Sequence, residues 1–295
     1  MKTNRQAVIY ALMAVVLWST VATAFKKSLD LISPFDLLLL SCFWSVLILS
    51  IILIVQNKGF SGFILKPGKF LSYMTGALLN PVAYYLVLFA SYDLLPAQIA
   101  QPLNYTWPLM LVLLSIPILK KKPEPRDGLS LLICLGGIIL ISRGGQTTAL
   151  GALSLKGIIL ALFSSVLWAF YWLMGKRQTG SQSTRLFWNF FLALPVLYLL
   201  KPTLSPGFPV LTGPILFWTA WVGLFEMGIT FMFWGLALAK AEHPARISHL
   251  VYLSPFLSLF WISLVLGESI AMTTIAGLFI IVVGILSKEI RFLKN

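Results

Sequence analysis

The sequence predicts an all-α integral membrane protein with ten transmembrane helices, arranged as two inverted five-helix repeats. Three observations predict this class: a very apolar composition, apolar runs long enough to cross a membrane, and a pattern that recurs in the second half of the chain. Of the 295 residues, 59% are hydrophobic and 11% are charged. A soluble domain carries roughly 25% charged residues, so the composition excludes a cytosolic enzyme.

The apolar runs define the helices in order. Each run approaches the length of about 20 residues that crosses a hydrocarbon core of about 30 Å. In lipid each run must be helical, because an isolated strand leaves its backbone groups without hydrogen bonds. Together the runs leave no room for a catalytic domain outside the membrane. The predicted spans are 6–25, 35–55, 70–90, 97–119, 128–142, 155–174, 186–200, 214–238, 245–266 and 271–287.

A sequence repeat relates the two halves of the chain. Residues 17–27 begin with Leu-Trp and end with Lys-Lys, and residues 167–177 begin with Leu-Trp and end with Lys-Arg. Pro108 in the fourth span has a counterpart 147 positions later in the ninth span, Pro255. The ninth span therefore corresponds to the fourth, and the chain contains two copies of five helices.

Two copies of five helices insert with opposite orientations, because five is an odd number. Inverted repeats of this kind form many secondary transporters, in which the solute site lies near the midplane between the halves. We place the first repeat at residues 1–145 and the second at residues 151–295. The repeat also indicates that the first span is an uncleaved helix, although residues 22–24 resemble a signal-peptide cleavage site.

The distribution of basic residues predicts the orientation of the chain. The termini and the loops after the second, fourth, sixth and eighth spans hold 17 of the 22 Lys and Arg residues, and the other loops hold five. The positive-inside rule then places both termini in the cytoplasm of a multi-pass protein of the cell inner membrane. This topology accounts for the net charge of +13, so we expect no nucleic-acid partner.

The sequence contains no recognisable catalytic or metal-binding motif. It lacks H-E-x-x-H, G-x-S-x-G and the Walker A loop. Its two histidines, His243 and His249, have no accompanying cluster of carboxylates or thiols, and both cysteines, Cys42 and Cys134, lie within apolar runs. We therefore expect no enzyme activity, no catalytic residues, no metal site and no cofactor.

The fourth span carries the strongest candidate for a binding surface. Pro102 and Pro108 remove backbone donors from the interior of the helix, which predicts two helix breaks. Gln101, Asn104 and Trp107 share one face of this helix at about 100° per residue. That face is either part of a solute-binding wall or a hydrogen-bonded contact between helices.

The third and sixth spans add further candidates. Asn80 and Tyr84 share one side of the third span, where Pro81 predicts another disturbance of the helix. Trp168 lies deep in the sixth span, where both pocket lining and core packing remain open. Trp172 lies closer to the end of that span and is interpreted as an anchor at the lipid interface.

Glu226 is the one acidic residue near the middle of any span. A charge at the centre of a bilayer costs about 2.5–3.5 kcal/mol on insertion scales, so a functional role is the default hypothesis. Three roles compete: a proton carrier, an anchor for a solute ammonium, and a structural hydrogen-bond partner between helices. In the ninth span, Pro255 predicts a helix break that matches the one at Pro108.

These features together resemble the drug/metabolite transporter superfamily, in its EamA-type branch. The resemblance rests on the two inverted sets of five spans, Leu-Trp-Ser at 17–19, the proline-centred fourth and ninth spans, and Leu-Gly-Glu at 266–268. Residues 103–108, Leu-Asn-Tyr-Thr-Trp-Pro, are further similar to a pattern in the aromatic amino-acid exporters of that superfamily. The resemblance implies a basket-like fold whose central cavity is lined by Tyr84, Trp107 and Trp168.

From these observations we expect a secondary transporter that exports small organic metabolites, amino acids or similar amphipathic solutes, by alternating access. Its partners would be a small-molecule solute and membrane lipid, with the proton gradient or the solute's own gradient as driving force. The state of association, monomer or homo-oligomer, stays open. The alternatives are an uptake carrier for a nucleotide-like or cofactor-like metabolite and, in another class, a lipid-handling membrane protein or a membrane enzyme.

Overall fold

A computed structural model describes residues 2–57, 59–65, 68–120, 122, 124–144, 153–175 and 181–289. Within these ranges the chain forms helices joined by short connections and contains no β-strand. The all-α class predicted from the sequence is confirmed.

Ten long helices form the fold. Nine of those in the described ranges are long and apolar enough to cross a membrane, and the tenth contains a shorter apolar segment, Met272–Ser287. All ten overlap the predicted spans, and several extend beyond them by a turn or more at one end. The helices are α1 (Lys2–Leu29), α2 (Pro34–Asn57), α3 (Phe70–Leu94), α4 (Ala97–Leu119), α5 (Pro125–Gly144), α6 (Leu155–Gly175), α7 (Gln182–Leu204), α8 (Gly213–Lys240), α9 (244–266) and α10 (Met272–Glu289).

The packing of the helices follows the inverted repeat. Helix α1 packs against α8 and α9, and its counterpart α6 packs against α3 and α4. The remaining pairs are formed by corresponding helices of the two halves, α2 with α7 and α5 with α10. Each of these contacts has an equivalent contact between the corresponding helices of the other half. The helices therefore form two inverted five-helix repeats.

Small side chains allow α1 to lie deep in the fold. Four alanines on one face of this helix are fully buried, the first three at three- or four-residue spacing and the fourth about two turns later, which brings the backbones of α1 and its neighbours close together. Hydrogen bonds from two tryptophan indoles, Trp261 to Ser19 at 3.1 Å and Trp221 to Thr20 at 2.9 Å, join α1 to α9 and α8. The buried alanines are Ala7, Ala11, Ala14 and Ala22.

Polar contacts join the helices at the end where α1, α3, α7 and α9 finish. The Glu268 carboxylate accepts hydrogen bonds from the backbone amides of Ala97, at 2.8 Å, and Gln98, at 3.1 Å. These are the first amides of α4, which have no partner within the helix. The Gln98 side chain in turn bonds to the backbone of Ser269 and Ala271. The loop after α9 therefore holds the start of α4 in place.

The same end of the molecule contains a buried ion pair. Lys201 near the end of α7 lies 2.7 Å from Asp36 at the start of α2, and both side chains are more than nine-tenths buried. The second oxygen of Asp36 accepts hydrogen bonds from Ser33 and Ser205, at 2.8 Å each. These bonds satisfy the carboxylate in a setting where a buried charge without partners would be costly.

Glycines bring α5 and α10 into backbone contact. A Cβ atom added to Gly137 would lie 2.6 Å from the carbonyl oxygen of Gly277 and 2.7 Å from the Ile281 side chain. Gly284 of α10 is equally close to Cys134, with 2.8 Å to its sulfur. Neither position of this interface can hold a larger side chain without moving a helix.

We expect Gly137→Val to destabilise the protein by about 1–3 kcal/mol, because the added methyl groups overlap the backbone of α10. Gly136→Val is the matched control, because a Cβ atom at that neighbouring position meets nothing within 4 Å. Both variants change helix propensity alike. Thermal unfolding in detergent should therefore show a larger loss for Gly137→Val, and equal losses would contradict the close contact.

Candidate functional site

A cavity lies between the two halves of the molecule. Its volume, measured as the space open to the centres of water molecules, is about 80 Å³, enough for several waters. Helices α1, α3 and α4 line it from the first half, and α6, α8 and α9 from the second. The lining residues are Trp18, Val21, Phe25, Tyr84, Leu88, Tyr92, Gln101, Asn104, Tyr105, Trp107, Trp168, Trp172, Glu226, Phe231, Trp234 and Val251.

Aromatic rings form a continuous wall along this cavity. Ring centroids of successive neighbours lie 4.6–5.9 Å apart, and the Tyr84 and Trp168 rings are stacked at 4.6 Å with an interplanar angle of 28°. Such separations are typical of attractive ring contacts. The wall therefore offers ring faces to a solute on several sides. In order, it consists of Trp234, Trp18, Phe231, Trp168 and Tyr84, and the fully buried Tyr85 packs against Tyr84.

Four of the six lining helices are interrupted beside the cavity. Helix α3 contains a π-helical stretch at Leu78–Ala83, and α8 contains one at Val222–Glu226. Helix α4 is broken between its two segments at 105–106, and α9 passes through a 3-10 turn at His249–Tyr252. The interruptions fall in corresponding pairs of the repeat, α3 with α8 and α4 with α9, and paired interruptions indicate the binding region of a transporter.

Side chains from neighbouring helices satisfy the polar groups at these breaks. At the break in α4, Thr106 bonds to Ser165 of α6 at 3.1 Å, and the Asn104 amide donates to Ser164 at 2.8 Å. At the break in α8, Ser45 of α2 donates to the carbonyl of Met227 at 3.1 Å. Irregular backbone is tolerated at membrane depth only where protein or water supplies such partners.

Glu226 lies at the last position of the π-helical stretch in α8. Its side chain is 8% exposed, and this remaining exposure faces the cavity that it lines. The Tyr85 hydroxyl of α3 donates a hydrogen bond to one carboxylate oxygen at 3.1 Å. Gly223, one turn earlier, lets α2 approach, because a Cβ atom there would lie 2.5 Å from the carbonyl oxygen of Ser41.

Most of the residues proposed from the sequence meet in this cavity. Tyr84, Gln101, Asn104, Trp107, Trp168 and Glu226 all line it. Asn80 does not line it: this residue is fully buried in the π-helical stretch of α3, with extended backbone angles of −143° and 113°. Its position next to Pro81 makes it part of the helix break.

The three prolines lie close to the breaks without coinciding with them. Pro102 is within the regular first segment of α4, Ala97–Asn104, and the chain departs from the helix only at 105–106. Pro108 lies in the first turn of the second segment. Pro255 likewise lies in the first turn after the 3-10 stretch of α9. This placement is favourable, because the first turn of a helix does not need the amide that proline lacks.

Sequence reasoning missed several lining residues and one break. Trp172, interpreted as an interface anchor, lines the cavity instead, and Phe231 and Trp234 were not singled out. The break in α8 contains no proline and ends at Gly228. The correspondence of α8 with α3, whose disturbance at Pro81 was predicted, is the signal that could have revealed it.

A second cavity lies beside the first, between α6, α7 and α8. Its volume on the same measure is about 280 Å³. Trp172 and Phe231 line both cavities, so these two side chains separate them. Arg185 and Gln182, at the start of α7, contribute polar side chains to the second cavity.

Comparison with known proteins is consistent with the architecture. The model of the EamA-like transporter family matches residues 5–143 and again residues 155–287. The chain belongs to the EamA-like transporter family. It is therefore a membrane transporter, as the sequence predicted, and the family falls within the resemblance drawn from the sequence motifs.

Curated relatives carry transporter names without a stated solute. The uncharacterized transporter YvbV of Bacillus subtilis (strain 168) is 24% identical over 218 residues, which cover 72% of this chain and 70% of the relative. An uncharacterized transporter of Clostridium kluyveri is 26% identical over 172 residues, 57% of this chain and 55% of the relative. A solved crystal structure of a protein matches 99% of this chain and 100% of its own with a TM-score of 0.67 at 20% identity, which shows a shared fold.

Trp107, which also lines the cavity, tests whether the cavity of the EamA-like transporter binds aromatic rings. We expect Trp107→Ala to weaken aromatic solutes about two- to tenfold more than small polar solutes, because a ring contact contributes roughly 0.5–1.5 kcal/mol beyond area burial. The control is Trp218→Ala, which removes an indole outside the cavity lining. Competition binding in detergent measures the ratio, and an equal loss for all solutes with a lower unfolding temperature would indicate a packing role.

Proposed function

We propose that the protein exports small amphipathic organic solutes, amino acids among them, by alternating access. The observation that carries the proposal is the cavity between the two halves, which has an aromatic wall and four interrupted helices at its edge. The proposed site consists of Tyr84, Gln101, Asn104, Trp107, Trp168 and Glu226, with Asn80 supporting the break in α3.

Packing at the two ends of the molecule supports alternating access. Where α1, α3, α7 and α9 finish, the Glu268 cap and the Asp36–Lys201 pair hold the helices together. Lys26 of α1 adds hydrogen bonds to the carbonyls of Tyr92 in α3 and of Leu95, just after that helix. Toward the opposite end lies the larger second cavity, next to the first. A solute could thus reach the central cavity from one side while the other is closed.

The orientation in the membrane is also part of the proposal. The positive-inside rule places both termini and the loop between α4 and α5 in the cytoplasm of an inner-membrane protein. The end held by Glu268 and Lys201 then faces outward, and the second cavity faces the cytoplasm. Export would start from the second cavity.

Transport itself can be tested in proteoliposomes. We expect counterflow of labelled amino acids or amphipathic amines above that of protein-free liposomes, and assays with and without a pH gradient identify the driving force. Trp168→Ala should lower the initial rate by about tenfold, because it removes the ring stacked on Tyr84. Trp218→Ala should not, and counterflow of nucleotides alone would favour the rival function of nucleotide-like uptake.

The orientation can be tested with single cysteines in a background that lacks Cys42 and Cys134. Cysteines placed at Lys122 and at Asn295 should react with a membrane-impermeant maleimide only after the cells are opened. A cysteine at Pro206, in the loop after α7, is the control and should react in intact cells. Labelling of Lys122→Cys from outside would refute the ten-span orientation.

A further inference from the structure

Among the described residues, the lining of the central cavity carries one acidic group. Glu226 is the one carboxylate among the described residues that line it, and this lining contains no lysine, arginine or histidine. Within the described part of the chain, the Tyr85 hydroxyl is the sole hydrogen-bond donor to that carboxylate. Its second oxygen is therefore open to a ligand in the cavity.

Aromatic faces surround the same space. Ten of the sixteen lining residues are Trp, Tyr or Phe, a proportion far above that of the whole chain, of which 14% is aromatic. The faces of such rings attract cations, and tryptophan does so most strongly. Five tryptophans contribute from both halves of the molecule: Trp18, Trp107, Trp168, Trp172 and Trp234.

A second acceptor faces the cavity from α4. Gln101 is 3% exposed, and its side-chain oxygen has no hydrogen-bond partner among the described residues. Asn104, one turn later, already uses its amide nitrogen on Ser164 and its oxygen on Tyr84. Gln101 thus adds a buried polar side chain to the lining, and the second oxygen of Glu226 is the acceptor that a ligand in the cavity can reach.

We propose that the preferred solute is an organic cation: an ammonium or similar cationic nitrogen attached to an aromatic or apolar body. This inference rests on the proposed transport function. It narrows the proposed solutes to amines, in preference to amino acids that carry the same apolar group. The ammonium binds the Glu226 carboxylate by a charge-assisted hydrogen bond, and the body packs on the rings.

An amino acid fits this cavity less well because of its carboxylate. A buried carboxylate without a cationic partner carries a desolvation penalty, and the cavity lining supplies no cation. Arg185 lines the neighbouring cavity instead, beyond Trp172 and Phe231. A carboxylate bound beside Glu226 would in addition experience repulsion between like charges.

Three ligands that share a phenyl ring test the proposal on the purified full chain at pH 7. Phenethylamine is a cation, phenylalanine is a zwitterion and phenylacetate is an anion. We expect phenethylamine to bind at least about tenfold more tightly than phenylalanine, because only phenylalanine must bury a carboxylate without a cationic partner, and we expect phenylacetate to bind most weakly. Counterflow in proteoliposomes should follow the same order.

Glu226→Gln then tests the carboxylate, since the amide keeps its shape without its charge. We expect the variant to weaken phenethylamine about tenfold and phenylalanine less than about twofold. Glu242→Gln, in the exposed loop after α8, is the matched control and should leave both affinities unchanged. The ranking of the three ligands on the wild-type protein needs no variant, so it decides the proposal even if Glu226→Gln fails to fold.

The outcomes separate this inference from the proposed function. Transport of phenylalanine at least as strongly as phenethylamine overturns the preference for cations and leaves amphipathic export standing. A well-folded Glu226→Gln protein that weakens both ligands equally also overturns it. If the wild-type protein binds and transports neither these ligands nor other amphipathic solutes, both proposals fail.

Discussion

Every backbone amide and carbonyl inside a bilayer needs a hydrogen-bond partner, and the architecture of this protein depends on how that need is met. Unbroken helices meet it by themselves, so they can face lipid. The four interrupted helices cannot, and all four lie around the central cavity. Side chains supply the missing partners: Ser45 of α2 donates to the Met227 carbonyl, and at the break in α4 the Thr106 hydroxyl donates to the Leu103 carbonyl. The cavity therefore lies where neighbouring groups provide the hydrogen bonds that the irregular backbone needs.

The outer helices meet a different requirement. Apolar side chains gain little by leaving lipid for another helix, so α5 and α10 associate through close backbone contact. Gly137 and Gly277 face each other there, and the Ser130 hydroxyl donates to the carbonyl of Gly284 at 2.6 Å. This pair joins the last helices of the two repeats and leaves the cavity to the inner six helices.

Most of the fold could be predicted from the sequence, because span length and composition are local properties. The repeat of Leu-Trp and the spacing of Pro108 and Pro255 were sufficient to pair the halves. Prolines predicted the breaks in α3, α4 and α9 to within a few residues. The break in α8 could not be predicted in this way, since it depends on Gly228 and on the contact of Gly223 with α2, which is a tertiary contact.

The site was only partly predictable for a related reason. Helical periodicity places Gln101, Asn104 and Trp107 on one face, but it does not say what that face meets. Trp172 illustrates the limit: its position near the end of α6 is typical of an interface residue, and only the tertiary packing places it in the lining of the cavity, together with Phe231 of α8. Asn80 shares a helical face with Tyr84 on an ideal helix, and the π-helical stretch rotates the two apart.

The hydrogen bond between Tyr85 and Glu226 joins two groups of helices that face each other across the cavity, α3, α4 and α6 on one side and α1, α8 and α9 on the other. Under the proposed alternating access, separation of these groups would break the bond and leave the carboxylate without its donor. An empty carrier would then meet an energetic barrier to reorientation, because a buried charge without a partner is costly. A bound cation would compensate the carboxylate and lower that barrier, so the proposed carrier would cycle slowly while no cargo is bound.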